Sequence, residues 1–115
     1  MRAANDVSAA AADFYGYYHP AIPPDLPRLA GLERQVLIDL SAEGYDAALA
    51  TLNNAERLWE GLLPTILSRA GAKATDAVAG QLQAQRTALI ARDRAQLTAS
   101  VNTALSLIRG IQRLY

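Results

Sequence analysis

Residues 29 to 62 can be laid over residues 78 to 111 at a constant shift of 49 positions, and the two stretches agree in identity and in pattern. Ala30 matches Ala79, Gly31 Gly80, Leu40 Leu89, Ala42 Ala91, Ala50 Ala99, Asn53 Asn102, Ala55 Ala104, Leu58 Leu107 and Gly61 Gly110. Leu29 with Val78, Leu52 with Val101, Trp59 with Ile108 and Leu62 with Ile111 are apolar exchanges, and Gly44 falls opposite Asp93 where each copy turns. A chain that repeats at this period builds its fold from one supersecondary unit used twice.

Each copy has helical rhythm. In the first, Leu29, Leu32, Val36, Leu37 and Leu40 form one stripe, which breaks at Ser41-Ala42-Glu43-Gly44, where glycine can stop a helix. A second stripe follows through Tyr45, Ala48, Leu49, Leu52, Ala55, Trp59, Leu62, Leu63 and Ile66, with Pro64 as a candidate kink and Gly71 as its end. The second copy repeats this from about Ala74 with Val78, Leu82, Leu89 and Ile90. Its closing helix carries Leu97, Val101, Ala104, Leu105, Ile108, Ile111 and Tyr115, and Arg109 and Arg113 lie in its last turns, where cations offset the helix dipole. Two such αα-hairpins each offer one apolar face, and the simplest way to close them is a four-helix bundle.

Ahead of the repeat, Val7, Ala10, Ala11, Phe14 and Tyr17 or Tyr18 predict a short N-terminal helix over residues 5–18. Pro20, Pro23, Pro24 and Pro27 make residues 19–28 an extended connector, with Asp25 or Pro27 marking the new start. The expectation is therefore an all-α chain: one domain over 1–115, with a first hairpin over 29–70 and a second over 74–115.

Composition narrows the function. Half of the 115 residues are apolar, enough for a core without metal or disulfide support. Eleven basic residues balance eleven acidic ones, which leaves no net field to attract nucleic acid. The absence of cysteine excludes thiol catalysis, disulfides and cysteine-held metals. The small-residue stretch from Ser8 to Ala12 is too short and too flanked by acids to be the apolar core of a signal peptide, and the runs Val36-Leu37-Ile38 and Leu62 to Leu67 are too short to span a bilayer.

Catalytic chemistry finds little footing. His19 is the only histidine and sits beside a proline at a helix end, so a Ser-His-Asp relay has no evident partners. Asp39 with Glu43 and Glu56 with Glu60 stand at i, i+4 spacing, and carboxylates turned inward could hold a metal with His19; the Glu-x-x-His motif of di-iron bundles is absent. The alternative for these acids is a solvated face, since unpaired buried carboxylates are costly. Arg57 and Arg86 are the candidates for an arginine-lined pocket that would bind an anionic substrate. Phe14, Tyr15, Tyr17 and Tyr18 place aromatic rings on more than one face of the first helix, as a partner-binding anchor or as a cap on the bundle end. Trp59 lies mid-stripe and reads as core; Asn53 and Asn102 read as exposed or as hydrogen-bonding across the bundle.

Two resemblances accompany this reading. Trp59-Glu60-Gly61 resembles the Trp-x-Gly turn of small secreted helical-hairpin proteins of Gram-positive bacteria, although here the apolar stripe runs straight through it. Ala47-Ala48-Leu49, Leu58-Trp59, Ile66, the Gly71 break and Leu105-Ser106-Leu107-Ile108 resemble bacterial helical-bundle ectodomains and lipoproteins, some found ahead of iron permeases. That second resemblance implies a domain outside the cytoplasm whose signal or lipid anchor lies beyond this chain, but the permeases' acidic iron motif is not found.

The function expected is a non-enzymatic binding or interaction module, with a protein partner or self-association, no cofactor and no nucleic acid. A metal or small-ligand carrier using Asp39, Glu56 and His19 is the alternative, and a small helical enzyme with an arginine-lined pocket is the second alternative.

Overall fold

A computed structural model describes residues 21–115. They form an all-α four-helix bundle: α1 (Asp25–Ala42), α2 (Tyr45–Ala70), α3 (Ala72–Ala91) and α4 (Arg94–Gln112). α1 packs on α2 and α3 on α4 as antiparallel hairpins, and the hairpins join through α2 against α3 and α1 against α4. α1 and α3 therefore stand on one diagonal. The N-terminal helix expected over residues 5–18 lies outside the described residues.

α1 starts at Asp25, inside the stretch expected to be a connector, and Pro27 lies in its first turn. Proline is tolerated there because the first backbone N–H groups of a helix have no intrahelical partner. α3 likewise begins at Ala72, two residues before the apolar rhythm becomes visible.

The repeat in sequence is a repeat in structure. α1 and α3 end 49 residues apart, at Ala42 and Ala91, and α2 and α4 begin 49 residues apart, at Tyr45 and Arg94. The turn hydrogen bonds recur too: Gly44 N–H donates to the Asp39 carbonyl at 2.8 Å, and Asp93 N–H donates to the Ala88 carbonyl at 2.8 Å. The chemistry of the turns differs. Gly44 sits at φ 102°, ψ −169°, a region essentially reserved for glycine, whereas the second turn places Arg92 in the left-handed region and caps α4 with the Asp93 carboxylate, which accepts from Gln96 N–H at 3.0 Å.

Burial follows the same shift. Leu29 and Val78, Leu40 and Leu89, Ala48 and Leu97, Leu52 and Val101, Ala55 and Ala104, Trp59 and Ile108, and Leu62 and Ile111 are buried as pairs. So are Thr51 and Ser100, whose hydroxyls tie each hairpin internally, Thr51 to the Asp39 carboxylate and Ser100 to the Gln81 carbonyl at 3.0 Å. Within the aligned stretch only Ala30 and Ala88 lack a buried counterpart. Ile90, expected on the stripe, is 72% exposed, because Leu89 beside it already points into the core and adjacent helical residues diverge by about 100°.

Candidate functional site

An open groove of about 630 Å³ lies on the outer side of the first hairpin. Arg28, Gly31, Leu32 and Gln35 of α1 line one wall, and Asn54, Arg57 and Leu58 of α2 line the other. Leu32 and Leu58 are half-buried against the core and make an apolar floor. Gly31 opens it: a Cβ built there meets nothing within 4 Å, so the space above this turn of α1 is free.

Both rims are cationic. Arg28 pairs with Asp25 at 2.7 Å in an exposed i, i+3 contact of the kind water and salt readily loosen. Arg57 is held by the Asn54 side-chain oxygen and, among the described residues, faces no carboxylate. The second hairpin offers a built-in comparison. At the shifted positions Ala77 stands for Arg28, Gln81 for Leu32, Thr103 for Asn54 and Ser106 for Arg57, so the copy has neither the cations nor the full apolar floor. The apolar floor between two arginines belongs to the first hairpin and not to the repeat.

The seam between the hairpins carries the other polar cluster. Glu56 of α2 takes two hydrogen bonds from the Arg86 guanidinium of α3, one of them Nε to Oε2 at 3.2 Å, and Arg86 also reaches the Asn53 oxygen. The carboxylate holds Arg86 further above its usual guanidinium range. Deeper in, Glu33 and Gln85 are fully buried, and Gln85 Nε2 donates to Glu33 Oε1 at 2.5 Å. Burial pushes the Glu33 carboxyl up to about 7, only partly offset by that bond. Asp39 moves the other way: the Thr51 hydroxyl, then the Gln35 amide, hold it below the usual carboxylate range.

The residues singled out from sequence are thus dispersed. Asp39 is bound to Thr51 and Gln35 within the first hairpin, and Glu56 is bound to Arg86 at the seam. Among the described residues no three acidic or histidine side chains gather as a metal site. His19 and the aromatic set Phe14, Tyr15, Tyr17 and Tyr18 lie outside the described residues. Arg57 lines the groove; Arg86 does not, being committed to Glu56. Trp59 is 4% exposed in the middle of α2, and Gly61 is helical beside it, so Trp59-Glu60-Gly61 forms no turn. Asn53 bonds across the seam, while its counterpart Asn102 is exposed.

Sequence reading passed over Arg28, Leu32 as a groove residue, Glu33 and Gln85. The signal was present in the repeat: Glu33 aligns with Leu82 and Gln85 with Val36, so each polar residue occupies a position that its copy fills with a core residue.

No helix among the described residues is long and apolar enough to cross a membrane. Compared with known proteins, the chain matches no family model, no curated protein and no solved structure.

Proposed function

We propose that this protein is a non-enzymatic binding module whose α1–α2 groove takes an acidic, apolar segment of a partner protein. The observation that carries the reading is the pairing of an apolar floor, Leu32 and Leu58, with Arg28 and Arg57 at the rims, in one hairpin and not in its copy. Arginine is suited to this role because its planar guanidinium engages carboxylates while its stem covers apolar surface. An apolar side chain seated over Gly31 would bury its surface on the leucines and bring flanking carboxylates to the rims. Placement outside the cytoplasm belongs to the same proposal and rests on the resemblance to bacterial ectodomains alone.

The test is calorimetric titration with a synthetic amphipathic peptide of leucine and glutamate at helical spacing, beside the same peptide with lysine for glutamate. The reading expects saturable binding of the acidic peptide, weakened by salt and lost in Gly31→Trp, which fills the groove, and in Arg28→Glu with Arg57→Glu. Equal binding of the two peptides, or binding indifferent to these substitutions, contradicts it. Uptake of dodecanoate with no uptake of peptide moves the groove to small-ligand carriage.

A further inference from the structure

The seam is polar where the repeat, applied to itself, would make it apolar. Under the 49-residue shift the contact Glu33–Gln85 maps onto Leu82–Val36, and Glu56–Arg86 maps onto Leu105–Leu37. Each polar contact takes one member from each hairpin. Two copies of the first hairpin would set Glu33 against Val36 and Glu56 against Leu37, and two copies of the second would set Gln85 against Leu82 and Arg86 against Leu105. Every like-with-like pairing strands a polar group, and only the unlike pairing satisfies both sets.

In the buried pair, two oxygens have no hydrogen-bond partner among the described residues, Glu33 Oε2 and Gln85 Oε1. One proton on Glu33 Oε2 would satisfy both, since an acid hydroxyl can donate to the Gln85 oxygen while the Gln85 amide donates to Oε1. We infer that Glu33 and Gln85 form a proton-dependent latch: the neutral acid and the amide lock the first hairpin to the second, and ionisation of Glu33 loosens the seam. On opening, the Oε2–H bond breaks, the proton passes to water, and the carboxylate gains the hydration that the core denies it.

Among the described residues, no other charged side chain is buried in the core. The core-facing residues of α2, α3 and α4 are all uncharged. Of the other charged side chains on the four helices, Asp25, Asp39 and the mutually paired Glu56 and Arg86 are half-buried, and the rest, Arg34 beside Glu33 and Arg94 and Arg109 on α4 among them, are exposed. Desolvation and the Gln85 bond alone set the state of Glu33, placing its proton loss near neutrality.

Hydrogen exchange of the buried α1 and α3 amides, corrected for the intrinsic pH dependence of exchange, tests the latch in the full chain. The population of the open seam should rise on the order of fiftyfold between about pH 5 and about pH 8 in the wild type. In Glu33→Gln, which keeps an amide pair and has nothing to ionise, it should stay flat. Glu33→Leu with Gln85→Val, which copies each residue's repeat counterpart, should fold and lose the pH dependence. A wild type without pH dependence, or one whose dependence survives in both variants, overturns the inference.

Discussion

Gln85 on α3 donates a 2.5 Å hydrogen bond to Glu33 on α1 across the diagonal of the bundle, and neither side chain has exposed surface. Burial delays the ionisation of such a carboxyl until near neutrality, which ties the stability of the fold to pH.

The sign follows from the two states. Burial raises Glu33 from 4.5 to about 7, so between these values the folded chain holds a proton that the unfolded chain has released. The contribution is fully present below the unfolded value, falls as pH rises and levels off above the folded one, reaching roughly 3 kcal/mol at the limit. Urea midpoints at about pH 5 and about pH 8 should differ in that direction for the wild type and converge in Glu33→Gln. Asp39 works on the acid side: its depressed carboxyl stabilises the fold above its unfolded value and loses that contribution as pH falls, an effect Thr51→Val should shrink.

Removing one partner of the buried pair should cost more than removing both. Gln85→Val leaves the Glu33 acid without its amide and should destabilise by about 1–3 kcal/mol. Glu33→Leu with Gln85→Val should cost less than the sum of the single changes, and a double-mutant cycle by urea denaturation measures the coupling.

The rim and the core should differ in scale. Arg86 and Glu56 keep 30% and 26% of their side chains exposed, so Arg86→Ala should cost no more than about 1 kcal/mol and less still at high salt. Trp59→Ala, which empties a position only 4% exposed, should cost about 3–5 kcal/mol with little salt dependence. Thermal and chemical melts at two salt concentrations separate them.

Two glycines should respond with opposite signs. Gly44→Ala forces a side chain into φ 102°, ψ −169° and should destabilise by about 1–3 kcal/mol. Gly31→Ala lies inside α1 with free space around its Cβ and should stabilise by about 0.5–1 kcal/mol. Paired urea titrations check both.

The bundle was legible because apolar spacing is written along the chain and repeated: the stripe through Trp59 predicts its burial, and Gly44 and Asp93 mark both turns. Local rhythm could not separate Leu89 from Ile90, adjacent apolar residues of which one faces inward. It also hid Glu33 and Gln85, since a polar letter in a helix ordinarily means a solvated face; only their apolar counterparts Leu82 and Val36 betray core positions. The groove was less legible still. Arg28 and Arg57 lie on different helices, and their convergence depends on how α1 and α2 pack, which periodicity does not encode.

Heteronuclear NMR of the full chain with the acidic amphipathic peptide locates the bound segment residue by residue. Amide shifts should move at Gly31, Leu32, Asn54 and Leu58, while Gly80, Gln81, Thr103 and Leu107, their repeat counterparts in the second hairpin, stay in place. Equal movement in the two hairpins, or movement confined to residues away from the groove, would contradict it.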